Sequence, residues 1–371
     1  MNNKVSIERC GSYDSEAVFQ ALKTAAEAAG IPDVRGKKVL LKPNILSDSA
    51  PEKAVTTHPV FLEAVIRLVA GWGASRILVG DSPGLQPPNF SPRVCGLREA
   101  ALKNNAEWVD FTKAKTDLDF PQGKVHKKFT LTNIINEVDA VINLPKLKTH
   151  QLMFFTGAIK NTFGLMPSLS KSPLHVKYSS RESFASMLVD LNLLVKPAYV
   201  FMDAILAMEG PGPGSGNPRQ LGLVLASSNV LAIDAAACAV IGYPIEKIPT
   251  NSDALSRKFW LNDFSEIEYP LLKPDEVKVR DFVKIPFAKS RSQFLAFITP
   301  QPIRNLLKKK NPEPQINHSL CKRCGDCVKI CASGALYFSG QGNSRQIELD
   351  KQNCIRCYCC HEICPAKAIG I

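Results

Sequence analysis

Two stretches near the C-terminal end share one cysteine spacing. Residues 321–331 read CKRCGDCVKIC and residues 354–364 read CIRCYCCHEIC. Each follows C-x2-C-x2-C-x3-C, through Cys321, Cys324, Cys327 and Cys331 and then Cys354, Cys357, Cys360 and Cys364. The same offset of 33 carries every cysteine of the first run onto the second, so the segment is an internal duplication. Nine of the twelve cysteines lie between 321 and 364, while Cys10, Cys95 and Cys238 are scattered. Disulfides need an oxidising compartment. The opening MNNKVSIERCGSYDSE has no hydrophobic stretch of the signal-peptide kind, and no apolar run is long enough to span a bilayer. The expectation is a cytoplasmic, reducing setting in which these thiols hold metal. Zinc sites usually show ligand pairs separated by a longer loop, which two runs of four match poorly.

Three cysteines two residues apart let a tight loop wrap three corners of an iron–sulfur cubane, and the fourth corner must be reached from elsewhere. In bacterial two-cluster proteins the fourth cysteine of each run ligates the other cluster. The expected sets are Cys321, Cys324, Cys327 and Cys364 for one cluster, and Cys354, Cys357, Cys360 and Cys331 for the other. On these residues the tail resembles the bacterial-type two-[4Fe–4S] ferredoxin domain, which implies two [4Fe–4S] clusters as cofactors. Ala332 follows Cys331 where the pattern often has Pro. Cys359 is a ninth cysteine, read as a small buried side chain, with a spare ligand or reactive thiol as the alternative. ALYFSG and RQIELD around QGNS read as a hairpin, and PAKAIGI as a last short strand.

The formal charge is +12. Two clusters with four thiolates each would add about −4, leaving roughly +8. That describes a modestly basic cytoplasmic enzyme better than a nucleic-acid binder, because no groove-binding or base-stacking motif accompanies the charge. Nucleic acid is not an expected partner. A redox partner protein and an anionic small molecule are. Residues 286–315 are basic and punctuated by Pro. Phe294, Leu295, Phe297 and Ile298 with the lysines at 308–310 could touch an anionic membrane. The preferred reading packs the apolar residues between domains and leaves the lysines solvated. The expected division is an α/β domain over 1–285, this connector, and a ferredoxin-like domain over 316–371.

Before the tail the pattern changes. Residues 15–29 place Val18, Leu22, Ala25 and Ala29 on one helical face, ended by Gly30. HPVFLEAVIRLVAGWG, RVCGLREAALKNNA and NVLAIDAAACAVIG read as further helices, and KKVLLKPN, RILVGDSPG, DAVINLP, AYVFMDAI and LGLVLAS as strands. The alternation predicts an α/β fold, a mainly parallel sheet with helices on both faces, followed by a small α+β two-cluster ferredoxin-like domain. Such sheets bind ligands at the carboxyl ends of their strands. Polar residues gather there: Lys42, Asn44, Asp81, Ser82, Asn143, Lys146, Lys148, His150, Asp203, Ser227 and Ser228. Thr56, Thr57 and His58 precede a helix start, where an anion is favoured. TGAIKNTFG reads as a loop that brings Lys160 and Asn161 to a ligand. MEGPGPGSGNP reads as a rigid turn or lid, since it lacks the P-loop ending and its prolines remove donors.

VLLKPNIL, NLPKLKTH, TGAIKNTFGLMP, MDAILAMEGPGPGSG and AIDAAACAVIGY, in that order before two ferredoxin-type runs, are similar to domain-of-unknown-function family 362, in its iron–sulfur cluster-binding type. The resemblance points to Lys42, Asn44, Lys146, Lys148, His150, Lys160, Asn161, Asp203, His175 and Glu209; the last two enter through the resemblance alone. The expected function is an iron–sulfur oxidoreductase passing single electrons to or from an anionic substrate or cofactor. Lys42, Asn44, His58, Asp81, Lys146, Lys148, Asn161, Asp203 and Glu209 are the expected binding residues. His150, His175 and Lys160 are the candidate catalytic ones, the histidines for moving a proton. A non-enzymatic electron carrier or partner-docking protein, and purely structural clusters, are the alternatives.

Overall fold

The computed structural model describes residues 2–85, 91–287 and 312–371. Its central sheet combines β1 (Ser6–Arg9), β2 (Lys38–Pro43), β3 (Arg76–Val79), β4 (Glu107–Trp108), β7 (Ala140–Leu144), β10 (Tyr199–Glu209) and β11 (Asn217–Ser227). The order is β1-β11-β10-β7-β2-β3-β4. From β10 to β4 every pairing is parallel, and β11 joins β10 and β1 antiparallel. A separate hairpin joins β5 (Lys115–Asp119) to β6 (Lys128–Thr132). After β7, Pro145 breaks the ladder and β8 (Lys146–His150) resumes beside the far half of β10. The short β9 (Phe154–Thr156) folds back on β8.

Alternate residues of the parallel strands face opposite ways, and each set meets its own helices. Val39, Leu41, Val79 and Ile142 pack under α1 (Ser15–Ala29), α2 (Pro59–Gly71) and α3 (Leu97–Lys103). Leu40, Leu78 and Val141 pack with the other core, which draws on α4 (Ala158–Asn161), α5 (Ser172–Lys177), α6 (Arg181–Val195), α7 (Val230–Val240) and α8 (Pro249–Ser256). A strand buried on both faces must be continuously apolar, which is why VLL reads as it does. Each such side chain contributes about 1.5–3 kcal/mol of burial. Helix α1 starts where Asp14 accepts from the Ala17 N–H and stops at Gly30, whose φ of 98° suits glycine. No helix among the described residues is long and apolar enough to cross a membrane.

The tail forms two short helices, α9 (Asp326–Ile330) and α10 (Cys359–Ile363), which are themselves 33 residues apart. The expected hairpin is β13 (Leu336–Ser339) with β14 (Gln346–Leu349). The last segment, β15 (Ile369–Gly370), pairs with β12 (Gln315–Ile316). Four connector residues singled out from the sequence, Phe294, Leu295, Phe297 and Ile298, and the lysines at 308–310 lie outside the described residues.

Candidate functional site

A cavity of about 100 Å³ lies where the sheet's rim meets the tail. One wall comes from the α/β domain: Lys42, Asn44, Asp81, Lys148, His150 and Asn161, with Lys160, Lys171 and His175 closing it. The opposite wall is the tail, through Ile330, Cys359, Glu362 and Ile363.

Strand β2 delivers Lys42 to the rim fully buried, with its amine 2.8 Å from Asp81 and 3.1 Å from the Asn161 side-chain oxygen. Asn161 ties the rim together, since its oxygen also accepts from Asn44 Nδ2 at 3.1 Å and its amide donates to Asn143 at 2.7 Å. The segment read as a loop is in fact the helical turn α4 running into a 3₁₀ turn over Thr162–Leu165. The correction has a local cause: Asp234, buried on α7, accepts from the Ala158 and Ile159 N–H groups and caps the turn. Burial lifts the Asp234 carboxyl to about 7, against the pull of those two bonds. A side chain at Gly164 would run into Asp81 and Lys42, so this glycine permits the close packing over the ion pair.

Three amines at the cavity have no carboxylate within ion-pair distance among the described residues. Lys148 donates to Asn44 Oδ1 and to the Val55 carbonyl, both at 2.7 Å. Lys171 donates to the carbonyls of Ser82 and Pro83. Lys160 has no side-chain hydrogen bond among the described residues and lies 5.5 Å from the centre of the Phe163 ring. Burial drives Lys148 and Lys171 each down to about 7. Burial also lowers Lys160, while Glu362 opposes that shift.

His150 Nδ1 accepts from the Leu152 and Met153 N–H groups at 3.1 and 3.3 Å, which places the ring proton on Nε2. Nε2 lies 3.3 Å from Glu362 Oε1, yet the two are not aligned as a hydrogen bond, and both atoms are buried with no hydrogen-bond partner among the described residues. His175 stacks on Phe184 at 4.4 Å, and its Nδ1 is likewise buried and unpartnered. Burial, then the surrounding lysines, holds His175 at about 3 and His150 well below the usual range. Both rings are therefore neutral at pH 7, which fits them to donate or accept a hydrogen bond better than to store a proton. Burial raises the Glu362 carboxyl, against Lys160, His361 and Lys148.

The cysteines of the tail line two smaller cavities. Cys321, Cys324, Cys327 and Cys364 surround one. Cys331, Cys354, Cys357 and Cys360 surround the other. All are free thiols, and among the described residues no three close as tightly as ligands of a single ion. The backbone repeats with the sulfurs. Arg323 and Arg356, Gly325 and Tyr358, and Gly334 and Lys367, each pair 33 apart, all adopt positive φ. Left-handed residues at these points curl each run around its cavity at some cost in strain for the non-glycine members. Four soft sulfur donors around each of two sites fit an iron–sulfur cluster at each. Cys359 lines both the second of these cavities and the central one, so its thiol forms part of the partition between them.

Residues 39–239 match the family described as Domain of unknown function (DUF362). The thylakoid-associated protein sll1697 of Synechocystis sp. is 31% identical over 291 residues, covering 77% of this chain and 88% of that protein. The chain belongs to the DUF362 family. Beyond the DUF362 segment, residues 320–368 match the 4Fe-4S dicluster domain. Two solved structures show fainter likenesses. The lactate racemase apoprotein from Thermoanaerobacterium thermosaccharolyticum gives a TM-score of 0.38 at 13% identity over 61% of this chain and 54% of that one. A structural-genomics protein from Thermotoga maritima gives 0.31 at 12% over 55% and 53%. The matches thus span about half the length of each of those two structures.

Within the DUF362 segment the rim does not take in every residue expected there. Lys146 and Asp203 form their own fully buried pair at 2.8 Å, joined by the Tyr13 hydroxyl, and do not line the cavity. Lys146, Lys148 and His150 share one face of β8, but the register against β10 shifts between Asp203 and Met208, so Lys146 pairs with Asp203 while Lys148 and His150 reach the cavity. His58 is also corrected: it caps α2, stacks on Tyr13 at 3.5 Å, and its N–H is taken by Asp203, so the helix start already has its anion. Glu209 accepts from the Val283 N–H at the far end of β10 and lies off the cavity. Because β11 runs antiparallel, Ser227 pairs with the start of β10, and its hydroxyl, like that of Ser228, bonds the N-terminal backbone. The glycine–proline stretch is a ledge: Pro213 lines the cavity, and the Pro211 carbonyl lies 3.1 Å from His361 Nε2 on α10. Lys171 had no signal in the sequence, since it neither follows a strand nor belongs to a recurring motif, and Glu362 is a spacer of the second cysteine run that the ligand pattern leaves unassigned.

Proposed function

We propose that this DUF362 protein is an iron–sulfur oxidoreductase that exchanges single electrons with a small anion held in the cavity between its two parts. One observation carries the reading: three amines without carboxylate partners face α10, and the thiol beside them, Cys359, also borders a four-cysteine cavity. The eight cysteines named above would hold two [4Fe–4S] clusters in the crossed arrangement, and such clusters supply one-electron transfer at a potential set by their surroundings. A reducing, cytoplasmic compartment suits this reading, with the cysteines outside the two ligand sets remaining thiols.

The chain's own residues then bind and orient. Lys148, Lys160 and Lys171 supply positive charge to a carboxylate or phosphate oxygen. Lys42 is neutralised by Asp81 and positions Asn161 and Asn44 instead. Neutral His150 presents its Nε2–H to the cavity as a donor. The proton-carrying role expected of His150 and His175 passes to Lys148 and Lys171, whose values near 7 let them give up a proton at ordinary pH. Ile330, Ile363 and Phe163 exclude water, which strengthens each charge contact.

The test is anaerobic purification followed by iron and acid-labile sulfide analysis and electron paramagnetic resonance of the reduced protein. Phosphate, acetate and a 2-oxo acid are then added in turn. A change in the cluster signal with one of these anions, lost in Lys160→Met, supports the proposal. Absence of iron and sulfide overturns it. Clusters that cycle without response to any of these anions would favour a simple electron carrier.

A further inference from the structure

The two cysteine cavities face different surroundings. The one bounded by Cys331, Cys354, Cys357 and Cys360 is turned toward the α/β domain: Tyr358 is buried in the main core and Cys359 borders the central cavity. The other opens outward. Cys324 is exposed, and Lys322 and Arg323 beside it are exposed as well. Lys329 on α9 and Lys367, three residues after Cys364, add two more exposed cations, the second donating to the Ser215 carbonyl at 3.4 Å. Asp326 is the acid among them and sits 3.7 Å from Lys329. Leu320, immediately before the first cysteine, is 52% exposed. An exposed apolar side chain with exposed cations beside it in the chain, at the solvent edge of a redox site, is the complement of an acidic carrier protein.

We infer that this face, centred on Cys324 with Leu320, Lys322, Arg323, Lys329 and Lys367 around it, docks an acidic one-electron carrier protein. The inference rests on the iron–sulfur reading above and adds a route: electrons would cross this face between carrier and outer cluster, and reach or leave the central cavity on the side of Cys359. One electron moves from the reduced carrier to the oxidised outer cluster; no bond forms or breaks and no proton is transferred. A bilayer of anionic lipid would meet the same cations. The protein partner is favoured because Lys322 and Arg323 line the same cavity as the exposed ligand position Cys324, where a carrier has an electron to exchange and a lipid headgroup has none.

The experiment uses the full chain with its clusters loaded and a reduced flavodoxin, an acidic flavin carrier, as the probe. Stopped-flow mixing follows flavin oxidation at low and high salt, and dithionite serves as a small reductant. In Lys322→Glu/Lys329→Glu the flavodoxin rate should fall about tenfold or more at low salt, the gap closing at high salt, with the dithionite rate unchanged. Lys103→Glu/Lys196→Glu, away from this face, should match the parent. An unchanged flavodoxin rate in the first variant, with clusters intact, overturns the docking surface and leaves the cluster reading standing. Inability to load clusters in the parent chain overturns both. Vesicles of phosphatidylserine that bind the parent and block flavodoxin, but fail to bind the first variant, would assign the face to a membrane and also overturn the inference.

Discussion

Replacing Lys146 by Met tests the separation between the cavity and the buried pair behind it. Lys146 and Asp203 are both fully buried, 2.8 Å apart. Burial lowers the Lys146 amine and Asp203 draws it back up. At an effective dielectric near 20, opposite charges 4 Å apart attract by about 4 kcal/mol. Removing one partner of a buried pair typically costs about 3–5 kcal/mol, because the other charge stays buried without compensation. Here the Tyr13 hydroxyl at 2.8 Å, the His58 N–H at 3.0 Å and the Ile205 N–H at 3.3 Å still serve Asp203. The loss should therefore fall at the lower end, about 3 kcal/mol. A domain stable by about 5–15 kcal/mol survives that. The double variant Lys146→Met/Asp203→Asn should recover part of the loss, since no charge is stranded and the amide oxygen still accepts from those donors. Guanidinium titration under anaerobic conditions reads the change as a shift in midpoint. A loss under about 1 kcal/mol, or a folded Lys146→Met protein that no longer binds an anion which the parent binds, would refute the reasoning.

Three further outcomes follow from the geometry. Anion affinity should weaken as pH rises from 6 to 9, because Lys148 and Lys171 are charged below about 7 and neutral above it. Each amine that must gain a proton on binding lowers affinity by up to about tenfold per pH unit, and calorimetry in two buffers should show proton uptake; proton release would refute the assignment. Cys364→Ser should remove about half the iron and spare the signal of the site built on Cys331, Cys354, Cys357 and Cys360, whereas loss confined to that site would refute the crossed sets. Gly164→Ala should destabilise the fold by about 1–3 kcal/mol and weaken anion binding, because its methyl group displaces Asp81 or Lys42; unchanged stability and binding would show that the rim yields easily.

Some of this protein was legible in the chain because it is local. Eight cysteines at one repeated spacing depend only on neighbours along the backbone. The continuous apolar strands and one-sided helices announce a two-faced parallel sheet for the same reason: periodicity follows from the geometry of each element. What tertiary structure decided was which polar residues share a space. Lys146 and Lys148 lie two apart on one strand, yet the first pairs with Asp203 and the second faces the cavity, a difference set by the neighbouring β10. Lys171 and Glu362 are 191 residues apart and meet because the tail packs on the rim. No spacing rule reports such a meeting, since the energy that creates it belongs to the packed interface and not to either segment.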